Sequence, residues 1–404
     1  MIMEKIVIAT DKFKGNLTSS EVADAIRNGI LKGCLDLGLN IQEVKQSISI
    51  LPLADGGDGS LCAVSNIFTD RGTPFRTTFI ESVNHLGAPV QVPVLLYNND
   101  TAAFVEMASV CGLQMIPKKQ RALGRSTTYG LGVVINSLIE EQGIRDITIA
   151  IGGSGTNDGG YGMLAALGYS FTTGKTATIP DVASFLKGIT AISDKYLPGM
   201  TPHLKETKIK IVCDVKNPLT GEYGASLMFA HQKLGPQESP SLIEELEDGM
   251  KNWAKVVTDF VNDNSLTAAA GSGAAGGVGF AFLSLLNAQM IPGWQYFAWL
   301  SGLEEKIKES EIVFTGEGKF DRQSLLGKLP SGVLDLSRKY GKKCILVTGK
   351  IEMDKEDLNR CGFEEIIEVN SKATCTNDAF TKTREIIIKY ISNYISRYYK
   401  LTMK

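Results

Sequence analysis

Residues 146–162, DITIAIGGSGTNDGGYG, constrain the fold of this chain more than any other stretch. A run of apolar and β-branched residues, 147–151, leads straight into Gly152, Gly153, Gly155, Gly159 and Gly160, which surround Ser154, Thr156, Asn157 and Asp158. An apolar run that ends in glycines reads as a buried strand followed by a tight loop with an accessible backbone. Glycine lets the backbone approach a ligand and adopt positive φ, and successive N–H groups form a concavity suited to an anion. Two readings follow: an anion-binding loop, or a strand-to-helix turn that only prepares the packed helix beginning at Met163, Leu164 and Leu167.

The same texture recurs along the chain. At the N-terminus, 6–9 reads as a strand whose carboxyl end carries Asp11 and Lys14, and Thr18 with Glu21 has the spacing of a capping box ahead of an apolar helical stripe. A second strand, 47–51, runs into PLADGGDGS, where Asp55 and Asp58 stand among glycines before a helix. Polar residues in such places lie where open α/β sheets bind ligands. From about residue 73 the chain becomes β-rich, with strands at 90–97 and 102–107, and a strand at 209–213 is followed by Asp214. Residues 236–265 read as a charged amphipathic helix with Leu242, Leu246, Met250, Trp253 and Val257 as its apolar stripe.

Residues 268–279, AAAGSGAAGGVG, contain Gly271, Gly273 and Gly276 in the G-x-G-x-x-G spacing of a dinucleotide site. No clear strand precedes them and no acid follows about 20 residues on, so close packing or a backbone-lined phosphate site is favoured over a nicotinamide site. The last third returns to strands at 312–315, 344–348 and 366–369, and after the first of these a glycine-punctuated loop holds Glu317, Lys319, Asp321, Arg322 and, further on, Lys328. Ile387, Ile391, Tyr394, Ile395 and Tyr398 form one stripe of a terminal helix. The simplest organisation is an α/β fold: a discontinuous, flavodoxin- or Rossmann-like parallel-sheet domain built from residues 1–75 and 290–404, with a second α/β domain, 76–289, inserted. The polar loops are then expected in the cleft between the two domains.

A formal net charge of −2 gives no general attraction to nucleic acid or to an anionic membrane, which favours a small-molecule partner. No stretch approaches the length of a membrane span and no basic segment precedes a long apolar one at the N-terminus, so a cytoplasmic location is expected. Seven scattered cysteines without CxxC pairing suggest reduced thiols, and three distant histidines disfavour a His-based metal centre; any metal is expected to be Mg²⁺ on carboxylates. Phosphoryl transfer requires backbone donors and cations around phosphate oxygens, carboxylates for Mg²⁺, and a group that orients the attacking hydroxyl. The polar loops supply each of these, while the P-loop and protein-kinase signatures are absent.

The segments ATDKFKGNLT, PLADGGDGS, AFVEMASVCGL, GGSGTNDGGYGMLAALG, CDVKNPLTGEYGAS, GAAGGVGF and TGEGKFDRQSLLGKLPSGV resemble, in order, the signature blocks of the bacterial glycerate kinase family of the glycerate 2-kinase-like type. The resemblance implies phosphorylation of D-glycerate by ATP with Mg²⁺, giving 2-phosphoglycerate or 3-phosphoglycerate, in a two-domain α/β fold. Departures occur: TDKFKG stands for the family's PDSFKG, ADGGDGS for ADGGEGT, RQS for SQT, and AHQKLG for GPQKGA. None removes a charge of the required sign. Asp11, Lys14, Asp58, Asp158, Asp214 and Asp321 are the candidate catalytic residues, with Asp58, Asp158 and Asp214 competing to orient the glycerate hydroxyl. Glu317 and Asp321 are the expected metal ligands. Gly152, Gly153, Ser154, Thr156, Asn157, Gly271, Gly273, Gly276, Lys319 and Lys328 are the expected cofactor-binding set. Glycerate and ATP are the expected partners, with a homodimer left open; a kinase for another small sugar acid and a nicotinamide oxidoreductase are the alternatives.

Overall fold

The computed structural model describes residues 4–13, 16–51, 53–54, 56–173, 181–193, 202–325, 327–369 and 376–402. Its strands in chain order are β1 (Ile6–Thr10), β2 (Ile48–Ile50), β3 (Phe75–Val83), β4 (Pro89–Tyr97), β5 (Ala102–Glu106), β6 (Asp146–Ala150), β7 (Ser170–Thr173), β8 (Ile189–Ser193), β9 (Lys208–Val212), β10 (Gln289–Ile291), β11 (Ile312–Asp321), β12 (Lys343–Glu352) and β13 (Glu365–Glu368). The chain divides into two compact units, Met1–Asp55 with Trp294–Lys404, and Gly56–Gly293.

In the first unit five parallel strands lie in the order β13-β12-β11-β1-β2. Counted within the unit this is the order 2-1-3-4-5 of flavodoxin-like sheets, and the direction of winding reverses between β1 and β11. β1 is buried along all of its five residues, as a parallel strand covered on both faces must be. The helix Ser19–Leu35 starts at a complete capping box: Glu21 N–H donates to Thr18 Oγ1 (3.2 Å) and Thr18 N–H to Glu21 Oε2 (2.8 Å). Its buried Val22, Ile26 and Ile30 share a core with Ile387, Ile391 and Ile395 of the helix Thr376–Thr402.

One element differs from the sequence reading. The segment expected as a loop after residue 315 continues as strand to Asp321, because β12 extends beside it and pairs as far as Asp321 with Glu352. Alternation along this extension puts Glu317, Lys319 and Asp321 on one face, while Phe320 is buried on the other against Leu346 and Cys361.

The second unit holds a six-stranded sheet in the order β10-β9-β6-β5-β4-β3, with β5, β6, β9 and β10 parallel and β3 and β4 antiparallel, and a small β7-β8 pair. The helix Ser60–Asp70 is part of this unit, so the first division of the chain falls at residue 55 rather than 75 and the second at 293 rather than 289. Its Phe68 packs on Phe75 and Tyr97, with ring centroids 5.8 and 5.0 Å apart. The amphipathic helix runs Leu242–Val261 and buries Leu246, Met250, Trp253 and Val257 as its stripe predicts. It starts later than expected because the preceding segment forms separate turns, Glu238 N–H donating to Gly235 O and Leu242 N–H to Ser239 O, around Pro240, which has no N–H to continue a helix. Among the described residues no helix is long and apolar enough to cross a membrane.

Candidate active site

In the first unit the candidate residues gather at the carboxyl ends of β1 and β11, the reversal point of the sheet. Asp11 follows β1, and its N–H donates to Gly316 O (2.9 Å), which fixes it beside Glu317. The sheet-face extension then carries Asp321, whose N–H donates to Ser324 Oγ (3.0 Å) in the turn that ends the strand. Glu317 is buried, and its Oε1 has no hydrogen-bond partner. Burial pushes its carboxyl up to about 7; Ser324 and Lys328 oppose the rise, while Asp11 and Asp321 add to it. For Asp321 burial also favours the neutral form, but Lys328, Lys319 and Ser324 outweigh it and hold the carboxyl below its usual range. Lys328 stands at the N-terminus of the helix Leu329–Lys339 and is the cation common to both acids. Lys319 faces the same way but is engaged by Glu352 (2.9 Å) and Asp321 (3.3 Å) at an exposed position. Lys14 lies outside the described residues.

Among the described residues no three Asp, Glu, His or Cys side chains converge as a ready metal cage. Mg²⁺ seldom needs one: it keeps several waters and is held by one or two carboxylates together with phosphate oxygens. A buried acid with an orphaned oxygen, next to two further carboxylates, fits that donor set. Glu317 and Asp321 would hold the ion.

In the second unit the strands β5, β6 and β9 present their carboxyl ends side by side, and a candidate residue follows two of them. After β6, the loop at 152–158 is anchored through Gly155 N–H to Cys111 O (2.7 Å) and through Leu113 N–H to Gly153 O (2.9 Å). Among the described residues the N–H groups of Gly153, Ser154, Thr156 and Asn157 make no hydrogen bond. Gly152 N–H donates to Gly56 O (2.9 Å), which brings in the segment carrying Asp58. At Gly153, with φ +74°, a Cβ would meet Asp58 Oδ1 at 2.1 Å. Exposed Asp58 thus stands beside Gly153, at the start of this loop. Glu106, at the end of β5, supports it by accepting from Gly59 N–H (3.1 Å) and Leu61 N–H (2.8 Å), capping the helix Ser60–Asp70, whose own N-terminus has no side-chain cap. Glu106→Ala is expected to lower stability by about 2 kcal/mol, read from chemical denaturation, since two N–H groups lose a charged acceptor.

Other candidates have different places. Asp158 is fully buried; Oδ2 accepts from Thr128 N–H (2.8 Å), Thr128 Oγ1 (2.8 Å) and Gly162 N–H (3.3 Å), and Oδ1 from Gly160 N–H (3.0 Å). Burial pushes its carboxyl upward against the pull of these four donors. This side chain holds the loop from inside, which corrects its candidacy for orienting a substrate hydroxyl. Asp214 follows β9 and accepts Gly293 N–H (2.6 Å). A Cβ on Gly271, Gly273 and Gly276 would meet Met290 Sδ (2.2 Å), Pro218 O (2.1 Å) and Thr156 O (2.1 Å) respectively, so close internal packing gives these glycines a reason of their own. The G-x-G-x-x-G spacing thus has a packing explanation.

Several residues that support the loop were not singled out from the sequence. Trp253 Nε1 donates to Gly159 O (3.0 Å), Asn157 Nδ2 to Ser226 Oγ (2.9 Å), and Lys233 Nζ to Thr156 O (2.8 Å) and Ser154 Oγ (3.1 Å). Lys233 and Glu106 each carried a signal, one a lysine in the AHQKLG block and the other an acid ending an apolar strand. Trp253 reads only as core.

The model of the glycerate kinase family matches residues 6–399. The chain belongs to the glycerate kinase family. It is 34% identical over 376 residues to the glycerate 2-kinase of Escherichia coli, spanning 93% of both chains. It is 30% identical over 383 residues to a glycerate kinase of Bacillus cereus, spanning 95% of both. A crystal structure of a candidate glycerate kinase 2 from Salmonella typhimurium superposes with a TM-score of 0.76 at 30% identity, covering 99% of this chain and 100% of that one.

Proposed function

We propose that the chain transfers the terminal phosphoryl group of ATP to the 2-hydroxyl of D-glycerate, with Mg²⁺, giving 2-phosphoglycerate. The observation that carries the reading is the buried Glu317 with its orphaned Oε1, flanked by Asp11 and Asp321 and faced by Lys328, at the reversal point of a flavodoxin-order sheet in a glycerate kinase family chain. Bound there, Mg²⁺ would neutralise charge on the phosphate oxygens. Lys328 adds a cation on the same side, and Asp11 is held beside Glu317 by its tie to the strand end. Asp58 is the base that orients the acceptor hydroxyl: it is the exposed acid beside the unpaired amides of the 152–158 loop, which suit a carboxylate or phosphate oxygen. That the E. coli relative is named a glycerate 2-kinase supports the 2-hydroxyl as acceptor.

Asp58→Asn is expected to lower kcat by about 10² or more, with the KM for ATP changed less than threefold. Steady-state kinetics with ATP and D-glycerate varied in turn reads both numbers. A variant with undiminished kcat would remove Asp58 from the role.

A further inference from the structure

Lys233 is a lysine almost wholly inside the protein, 4% exposed, and the described residues place no carboxylate within ion-pair distance of its ammonium. A buried charge without a counter-ion is costly and rarely kept without a use. Two of its three N–H donors are spent on Thr156 O and Ser154 Oγ, in two of the four loop residues whose backbone N–H groups make no hydrogen bond among the described residues. Donation to the carbonyl of residue 156 polarises the peptide it shares with Asn157, strengthening the Asn157 N–H as a donor. Around the same point lie further buried polar atoms without partners: Thr156 Oγ1, Asn157 Oδ1 and His85 Nδ1. The titratable groups that interact with Lys233 are His85 and Asp158, and Arg121 acts on His85 beside it. His85 is held neutral, pushed down to about 4 by burial and then by Lys233 and Arg121. Asp158 is occupied by its four donors, and Glu238 by three backbone N–H groups.

We infer that Lys233 is a positioning residue for anion capture: from beneath the 152–158 loop its ammonium fixes Ser154 and Thr156 and polarises the Thr156–Asn157 peptide, so that the loop's affinity for an anionic oxygen group follows the charge on Lys233. The inference rests on the kinase reading for its ligands, the carboxylate of glycerate or a phosphate of ATP. Burial lowers Lys233 to about 8, with Asp158 opposing, so the charge is lost within a range that can be assayed.

Isothermal titration of the wild-type protein between pH 7.5 and 9.5, with D-glycerate in one arm and Mg²⁺ with ATP and no acceptor in the other, tests this directly. Glu317, pushed up to about 7, is already mostly ionised across that window, so its titration cannot give a decline that continues above pH 8. One arm is expected to lose affinity about tenfold per pH unit above pH 8, and that arm names the anion. Lys233→Met should raise the KM of the same substrate at least 30-fold, leave kcat within about threefold and abolish the alkaline decline; Lys233→Arg should restore part of the affinity. Flat binding in both arms, or a Lys233→Met enzyme with unchanged KM, overturns the inference. Should that variant not fold, the wild-type titration decides alone. Pronounced pH-dependent binding without any ADP release would remove the kinase reading instead and leave the role of Lys233 standing.

Discussion

Glu317→Gln lowers kcat by about 10³ or more and at the same time makes the protein more stable at pH 8. Both effects have one cause. The carboxyl is buried with an unpaired oxygen, and Asp11 and Asp321 lie near, so the folded protein resists ionising it. Its value rises to about 7 in the folded state from an ordinary 4.5. The folded protein therefore binds more protons than the unfolded chain between these values, and stability falls as pH rises through that window, levelling off above 7. The shift corresponds to roughly 3 kcal/mol at most. A neutral, isosteric amide removes the penalty, so the melting temperature of Glu317→Gln should exceed that of wild type by several degrees at pH 8, and the two should converge toward pH 5. Scanning calorimetry at both pH values, with kcat measured on the same preparations, checks the pair. A variant that is inactive but no more stable at pH 8 would mean that Glu317 is not a buried charge awaiting a cation.

Gly276→Ala is expected to destabilise the protein by about 2–5 kcal/mol and to raise the KM of whichever substrate the 152–158 loop binds. At φ +70° an alanine is strained, and its Cβ would stand 2.1 Å from Thr156 O and 2.7 Å from Asn157 Cα, both backbone-fixed. The loop must shift, and with it the unpaired amides of Thr156 and Asn157. Ala275→Gly is the control: Ala275 already sits at φ 54°, so glycine there relieves strain and should leave stability within about 1 kcal/mol of wild type. Denaturant melts read the first effect and steady-state kinetics the second. A Gly276→Ala protein of wild-type stability would contradict the packing assigned to this turn.

Much of this was legible before any coordinates, and the reasons are local. Apolar runs such as 6–9 and 147–151, bounded by turn residues, read as strands buried on both faces, and Thr18 with Glu21 announces a helix start. Carboxylates placed just after such runs pointed to the strand ends where Asp11, Glu317 and Asp58 lie. What was not legible depends on neighbours distant in sequence. That β11 continues through Glu317 to Asp321 is decided by β12 beside it, and glycines at 316 and 318 disguise the strand as a loop. Asp158 and Asp58 look alike as loop acids; only the positions of Thr128, Gly160 and Gly162 make one internal and leave the other exposed. The glycines at 271, 273 and 276 mimic a dinucleotide motif because close backbone packing and close ligand approach demand the same absence of a Cβ.

The central claim is that this glycerate kinase family chain phosphorylates D-glycerate from ATP with Mg²⁺ through the acids of its β1–β11 strand ends. Its most direct test follows ADP release in a coupled assay with D-glycerate, ATP and Mg²⁺ on the wild-type protein and on Glu317→Gln, and identifies the product by phosphorus NMR. The account predicts Mg²⁺-dependent ADP release by the wild type, a phosphorus signal on the 2-position of glycerate, and loss of both in the variant. No ADP release with D-glycerate, or release that persists undiminished in Glu317→Gln, would contradict it.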